Sequence, residues 1–158
     1  MGVGATFAEA FVKSQWAAGV KLPTGGKVFL SVRNADKAPL VEIARQLVEL
    51  GFALVATRGT AATLSAAGLE VVLVNKVMEG RPHIVDMIKN REISLIINTV
   101  EEHSRAVQDS WSIRNAALQG RITYYTTVAG ARAACMGMRL GQSGDVHELQ
   151  ALHRGLKI

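Results

Sequence analysis

The fold of this chain is decided by one stretch, Leu54-Val55-Ala56-Thr57-Arg58-Gly59-Thr60-Ala61-Ala62. An apolar run ends in Thr-Arg-Gly-Thr, and a helical pattern that reaches Gly68 begins at once. This layout is typical of a strand that feeds a helix through a tight turn. Thr60 is a good N-cap, and Gly59 lets the backbone approach a ligand closely. The stretch predicts either an ordinary βα loop with a threonine cap or a turn whose free amides and positive helix end bind a phosphate.

Strand and helix patterns alternate on both sides of this turn. Strands are predicted at 27–32, 52–56, 69–74, 94–98 and 122–125, and a helical pattern follows each of them. The first is a nearly continuous apolar run, as expected for a parallel strand that is covered on both faces. The alternation predicts an α/β fold: an open parallel five-stranded sheet with helices on both faces, of the Rossmann type.

The chain divides into three segments. Residues 1–18 read as a terminal helix that begins with the capping-box pattern Thr6-Phe7-Ala8-Glu9, and residues 19–26 form a turn-rich linker. Residues 27–158 hold the α/β domain. Within it, the helix predicted at 104–118 carries Val107, Trp111 and Leu118 on one face, which we expect to pack into the core.

Composition narrows the possible partners. The net charge of +5 is spread along the chain without a basic run or aromatic-basic interleaving, so it fits a small anionic molecule as well as nucleic acid. We expect no nucleic-acid partner. No apolar run approaches the ~20 residues of a membrane span, and the N-terminus lacks a secretory signal pattern. The single cysteine, Cys135, predicts a buried structural thiol in a cytoplasmic protein, and no histidine has metal-ligand spacing.

Polar groups follow the predicted strands where each one ends. They are Lys37 after strand one, Thr57, Arg58, Gly59 and Thr60 after strand two, Lys76 after strand three, Asn98 and Thr99 after strand four, and Thr126 and Thr127 after strand five. Ligands of open parallel sheets bind outside the carboxyl ends of the strands. Because these groups are hydroxyls, amides and cations, they predict an anion site there.

A family resemblance is carried by five stretches in consistent order. These are Gly26-Lys27-Val28-Phe29-Leu30-Ser31-Val32, Ala56-Thr57-Arg58-Gly59-Thr60-Ala61, Leu73-Val74-Asn75-Lys76-Val77, Glu79-Gly80-Arg81-Pro82-His83-Ile84 and Ile96-Ile97-Asn98-Thr99. They resemble the C-terminal allosteric domain of the carbamoyl phosphate synthetase large subunit, over essentially all of residues 26–130. Residues 1–18 resemble the final helix of the preceding synthetase domain, so we expect the chain to be a piece of a longer protein.

The resemblance implies a methylglyoxal-synthase-like fold and an allosteric, non-catalytic role for this piece. In that family the domain binds nucleotide monophosphates, with UMP as inhibitor and IMP as weak activator, and ornithine activates from a neighbouring site. The implied phosphate and ribose contacts are Lys37, Thr57, Thr60 and Lys76, with Arg58 and Gly59 in the same turn and Asn98 and Thr99 nearby. Tyr124 and Thr126 are the implied ornithine contacts.

The resemblance also implies a larger assembly. The full enzyme would be an ATP-dependent ligase with a glutaminase small subunit, making carbamoyl phosphate for arginine and pyrimidine biosynthesis. ATP, Mg and K would bind its other domains, no cofactor would bind this one, and the domain could contribute to homo-oligomer formation. Val100 stands where a second threonine is expected, and Glu101 and Glu102 lengthen the next loop.

Two other functions stay open. A methylglyoxal synthase, which is a phosphate-eliminating lyase, would share the fold. Related enzymes carry Gly-Gly-Asp after strand three, whereas this chain has Glu79-Gly80-Arg81, so the expected carboxylate base is replaced. A domain that only mediates association would bind no effector at all.

Overall fold

A computed structural model of the protein describes residues 1–81, 83–100, 104–141 and 146–155. Within them, five strands form one sheet in the order β3-β2-β1-β4-β5, with every neighbouring pair parallel. The strands are β1 (Gly26–Ser31), β2 (Phe52–Ala56), β3 (Val71–Leu73), β4 (Ile93–Asn98) and β5 (Thr123–Tyr125). The α-helices are α1 (Phe7–Ala17), α2 (Lys37–Glu49), α3 (Arg58–Ala66), α4 (Ile84–Lys89), α5 (Ser104–Gly120), α6 (Val128–Leu140) and α7 (Leu149–Gly155).

The predicted open parallel sheet is therefore confirmed, with helices on both faces. Alternate residues of the central strand β1 point to opposite sides: Val28 and Leu30 enter the core beneath α2, α3 and α6, whereas Phe29 enters the core beneath α4 and α5. Both cores are built mainly from buried aliphatic side chains. This double burial explains why β1 reads as a continuous apolar run.

The edge strand β3 is shorter than predicted. The apolar pattern suggested 69–74, but only Val71–Leu73 pairs with β2 as a strand. Val72 and Leu73 are each 56% exposed, because β3 has a neighbour on one side only.

The predicted core face of α5 is wrong. Val107, Trp111 and Leu118 are 50%, 67% and 77% exposed. Among the side chains of this helix that the structure describes, Ser110, Ile113, Ala116 and Ala117 are buried. These residues also follow helical spacing, and three of the four are small enough to let the helix approach the sheet closely, so the bulk of Trp111 did not mark the inner face.

Helix α1 packs directly on α6. Val12 is buried, and a Cβ added to Gly137 would lie 2.7 Å from Val12 Cγ2 and 3.1 Å from Leu22 Cδ1. Gly137 is thus required for the close approach of the two helices. The assignment of residues 1–18 to a preceding domain and of 19–26 to a linker stays a prediction.

A buried carboxylate joins the two ends of the described chain. Glu9 accepts hydrogen bonds from Lys13 Nζ at 2.5 Å and from the Ala5 amide at 2.8 Å, and His147 Nε2 lies 2.9 Å from it. The hydrogen bonds from Lys13, His147 and Ala5 lower the pKa of Glu9 to about 2. The cluster thus attaches the segment before α7 to the N-terminal helix α1.

Cys135 lies on the inner face of α6 and is fully buried. Burial raises the pKa of its thiol to about 11. The prediction of a buried structural thiol is confirmed.

Candidate functional site

A cavity of about 300 Å³ opens at the carboxyl ends of β1, β2 and β4. The chain runs outward from β1 to β2 and β3 and then crosses back to place β4 on the other side of β1. Open α/β sheets form their ligand crevice where the strand order reverses in this way. The cavity is lined by Ser31, Val32, Arg33, Asn34, Lys37, Thr57, Gly59, Thr60, Lys76, Asn98, Thr99, Val100, Asp109, Ser110 and Ile113.

The β2–α3 turn is tighter than predicted, and Thr60 is not the N-cap. Thr57 occupies the N-cap position, and the first intrahelical bond runs from the Ala61 amide to the Thr57 carbonyl at 2.8 Å. Thr60 lies inside the helix with 1% of its surface exposed, and its Oγ1 accepts a hydrogen bond from the Val32 amide at 3.2 Å. The helix begins earlier because Thr57 alone separates the end of β2 from the start of α3.

This early start leaves a set of donors facing the cavity. The amides of residues 58–60 precede the first intrahelical bond, and the positive end of the α3 dipole lies among them. Thr57 provides no side-chain cap, and its hydroxyl donates to Ser31 Oγ at 3.1 Å. The Thr60 hydroxyl accepts from the backbone and so keeps its hydrogen for donation to a ligand.

Two lysines complete the cationic side of the cavity. Lys37, the first residue of α2, reaches over the β2–α3 turn, where its Nζ would lie 3.2 Å from a Cβ built on Gly59. The absence of a side chain at Gly59 therefore makes room for the ammonium group. Lys76 lines the same cavity from the segment after β3, and its amide donates to Glu79 Oε2 at 3.0 Å.

The opposite wall carries hydrogen-bond acceptors. Asn98 is 4% exposed and donates through Nδ2 to Tyr124 Oη at 2.8 Å and to Ser110 Oγ at 3.2 Å. Asp109, one residue before Ser110 on α5, adds a carboxylate to the lining. The cavity thus has a cationic end at the lysines and an acceptor end at Asn98 and Asp109.

Thr99 holds the β1–α2 turn in place. Its hydroxyl accepts from the Arg33 amide at 3.1 Å and donates to the Asp36 carboxylate. Burial of Asp36 opposes its ionisation, but the hydrogen bonds from Arg33 and Thr99 prevail and lower the pKa of its carboxyl. Thr99 therefore fixes the turn that presents Lys37.

The structure brings most of the sequence-predicted site residues together. Lys37, Thr57, Gly59, Thr60, Lys76, Asn98 and Thr99 all line the cavity. The Arg58 side chain is exposed and is absent from the lining. Thr126 lines a second cavity of about 210 Å³, which shares Arg33, Thr99 and Val100 with the first. Glu101 and Glu102 lie outside the described residues.

Sequence reasoning missed five polar lining residues, namely Ser31, Arg33, Asn34, Asp109 and Ser110, and the apolar Val32 and Ile113. Arg33 and Asn34 follow β1 directly and could have been found by extending the strand-end rule. Asp109 and Ser110 come from α5, and only the docking of that helix places them at the site. The sequence feature that could have found them is the helical spacing of Ser110 with Ile113 and Ala117, which puts a polar residue on an otherwise apolar face of α5.

The sheet topology defines an open parallel α/β domain with a donor-rich cavity at the point where its strand order reverses. Residues 39–126, which include strands β2 to β5 and most of the cavity lining, match the MGS-like domain family. The chain belongs to that family, and the predicted methylglyoxal-synthase-like fold is confirmed.

Relatives of known name extend the comparison over the whole chain. The chain is 56% identical over 156 residues to the carbamoyl phosphate synthase large chain of Ralstonia nicotianae, covering 99% of this chain and 14% of that protein. It is 56% identical over 158 residues to the large chain of Pseudomonas syringae pv. tomato, with the same shares. The chain therefore spans about one seventh of the length of these relatives, and the predicted resemblance to the carbamoyl phosphate synthetase large subunit is confirmed.

A solved structure supports the fold. Methylglyoxal synthase from Elizabethkingia anophelis NUHP1 matches with a TM-score of 0.57 and 20% identity, over 72% of this chain and 79% of that one. At this identity the likeness concerns the fold alone. Among the described residues, no helix is long and apolar enough to cross a membrane.

Proposed function

We propose that this chain is the allosteric domain of a carbamoyl phosphate synthase large chain and binds nucleoside monophosphates such as UMP and IMP. The observation that carries the proposal is the convergence of Lys37, Lys76 and the open amides of the β2–α3 turn on one cavity. A phosphate monoester satisfies all of these donors at once, because it offers several acceptor oxygens to two cations and a helix start.

The expected hydrogen-bond energies and the size of the cavity agree with reversible binding of a nucleotide effector. A hydrogen bond to a charged group is worth about 1.5–3 kcal/mol, so the loss of one lysine contact weakens binding by roughly tenfold or more. The cavity volume of about 300 Å³ is at the small end of the range for ligand sites and suits a phosphate with its sugar. The base of a nucleotide would extend toward the open side.

Regulation requires the rest of the enzyme. A nucleotide changes activity only if it binds one state of the whole protein more tightly than the other. We infer that catalysis, with its ATP, Mg and K, belongs to other domains, and that a glutaminase small subunit supplies nitrogen. Ornithine would bind on the side of Tyr124 and Thr126; of these two, Thr126 lines the second cavity, whereas the Tyr124 hydroxyl lies against Asn98. The assembly would act in the cytoplasm, in arginine and pyrimidine biosynthesis.

Calorimetry with two lysine variants tests the proposal. The chain is titrated with UMP, IMP and inorganic phosphate, and then with the same ligands after Lys76→Ala or Lys89→Ala. Lys89 is exposed on α4 and lies outside the cavity lining, so both variants lose one positive charge but only Lys76→Ala loses a site group. We expect saturable nucleotide binding, competition by phosphate, and weakening by Lys76→Ala alone. Equal weakening by both variants, or no binding by folded protein, would contradict the proposal.

A second candidate, the methylglyoxal-forming lyase, is favoured by one observation. Asp109 places a carboxylate in the same cavity as Lys37 and Lys76, and such a lyase needs a base beside its phosphate site. An assay for methylglyoxal released from triose phosphate, run with the chain and with Asp109→Asn, separates the two functions. We expect no turnover, whereas activity that disappears in Asp109→Asn would establish the lyase.

A further inference from the structure

The segment that carries Lys76 is anchored on its N-terminal side by the sheet. The Val74 amide donates to the Ala56 carbonyl at 3.0 Å, which extends the pairing of β3 with β2 beyond the end of the strand. Asn75 then forms a parallel bridge with His83, which closes the base of the loop between them. Lys76 is therefore the first residue of a loop whose base is fixed.

Glu79 fixes the backbone of Lys76 from the other side. Its Oε2 accepts a hydrogen bond from the Lys76 amide at 3.0 Å, and its own amide donates to the Lys76 carbonyl at 3.0 Å. The two bonds close a single 3₁₀ turn, Val77–Glu79, directly after Lys76. An ionised carboxylate can only accept hydrogen bonds, so the direction of the side-chain bond is unambiguous.

The Glu79 carboxylate does not belong to the cavity itself. Glu79 is exposed and lies outside the cavity lining, whereas Lys76 is part of that lining. A negative charge at residue 79 repels a bound anion, although solvent screens this repulsion at an exposed position. Charge alone would therefore favour a neutral residue there, and the hydrogen bond to the Lys76 amide is what a side chain without an acceptor would lose.

We propose that Glu79 is a positioning residue, which holds the Lys76 backbone so that the lysine side chain leaves it toward the phosphate site. This role rests on the proposed function. It adds to that function a residue that increases phosphate affinity without touching the phosphate and in spite of its own negative charge.

The physical reason is the conformational freedom of a lysine side chain. Lysine has several rotatable side-chain bonds, and only some of its conformers bring Nζ to a given point. A fixed backbone sets the direction of the Cα–Cβ bond and so enlarges the fraction of conformers that reach the phosphate. When residue 79 offers no acceptor, the backbone of Lys76 rotates more freely, and the entropy lost on binding increases.

Two neutral variants separate positioning from charge. Glu79→Gln removes the negative charge but keeps a side-chain oxygen that can accept from the Lys76 amide, whereas Glu79→Ala removes both. Calorimetry measures the affinity of each variant for inorganic phosphate. We expect Glu79→Ala to bind phosphate about three- to tenfold more weakly than Glu79→Gln. Equal affinities of the two variants would show that Glu79 acts by charge alone and would overturn the proposal.

The same pair of variants in the Lys76→Ala background asks whether Glu79 acts through the lysine side chain. Lys76→Ala keeps the backbone amide at residue 76, so the turn can still form without the ammonium group. Glu79→Ala and Glu79→Gln should then bind phosphate equally. A difference as large as the one measured with Lys76 present would overturn the proposal.

Hydrogen exchange of the Lys76 amide gives a readout without ligand. We expect slow exchange in the wild type and in Glu79→Gln, and exchange faster by about threefold or more in Glu79→Ala. Equal exchange in all three proteins overturns the positioning role, and faster exchange with unchanged affinity overturns its link to binding. If the folded wild-type chain binds no phosphate, the proposed function falls and the effect on affinity with it, while the exchange rates still decide whether Glu79 fixes the Lys76 backbone.

Discussion

Replacement of Gly59 by alanine should stabilise the fold and weaken the anion site together. Gly59 lies in the first turn of α3 with ordinary helical geometry, so an alanine fits the backbone there. Gly→Ala at a compatible position stabilises a protein by about 0.4–1 kcal/mol, which raises Tm by roughly 1–4 °C for a chain of this size. The new methyl group, however, would lie 3.2 Å from Lys37 Nζ and 3.9 Å from its Cε.

That separation is tight enough to displace the ammonium group from the turn. Lys37 is flexible and can move at small cost in folding energy, but the move separates it from a bound phosphate. The loss of a charged hydrogen bond of about 1.5–3 kcal/mol predicts a decrease in phosphate affinity of roughly tenfold or more. Thermal unfolding without ligand and calorimetry with inorganic phosphate measure the two effects separately.

Gly25→Ala is the matched control. Its added Cβ would have the Gly51 carbonyl as its nearest neighbour, at 3.9 Å, and Gly25 lies outside the cavity lining. We expect no change in its phosphate affinity. Unchanged phosphate affinity in Gly59→Ala would refute the reasoning that Lys37 and this turn form the phosphate site, and a lower Tm would refute the energetic part.

Three further predictions concern stability and reactivity. Because the pKa of Glu9 falls from 4.5 to about 2 on folding, its stabilising contribution is present above pH 4.5 and is lost as the pH falls toward 2. Glu9→Gln should therefore flatten this part of the curve of unfolding free energy against pH. Parallel curves for the variant and the wild type would contradict the role of Glu9 in this pH dependence. Ile113→Ala should lower the free energy of unfolding, measured with urea, by about 2–5 kcal/mol, and Trp111→Ala should lower it by less than about 0.5 kcal/mol. The reverse order would indicate that the face of α5 predicted from the sequence is the buried one. Cys135 should not react with a thiol reagent at pH 8 until the chain unfolds, and rapid labelling of folded protein would contradict its burial.

The sheet and the cationic end of the site could be predicted because both follow from local pattern. Apolar runs bounded by Gly51 and Gly68 mark β2 and α3, and parallel strands bring their carboxyl ends to one edge whatever the details of packing. Lys37, Thr57 and Lys76 could therefore be assigned to one cavity without knowledge of strand order. The family resemblance added the ligand class that such a cavity would hold.

What the sequence did not reveal depends on tertiary docking. Two faces of α5 carry residues at helical spacing. The face with Ser110, Ile113, Ala116 and Ala117 packs on the sheet, because it lets the helix lie closer to the sheet than the face with Trp111 would. Asp109 and Ser110 enter the cavity through the same docking. Thr57 and Thr60 are equally good caps in isolation, and the choice between them is made by the Val32 amide, which uses the Thr60 hydroxyl.

The place of β4 in the sheet has a consequence for the order of folding. β1, β2 and β3 follow one another along the chain and pair side by side, whereas Asn98 at the end of β4 pairs with Ser31 across a long intervening segment. Pairing over a long segment loses chain entropy before any contact forms, so we expect the β1–β4 junction to form late. The cavity spans that junction, and it is complete only after this step. If the cavity binds an anion as proposed, we expect the anion to stabilise the protein by slowing its unfolding, with the rate at which the first three strands assemble unchanged.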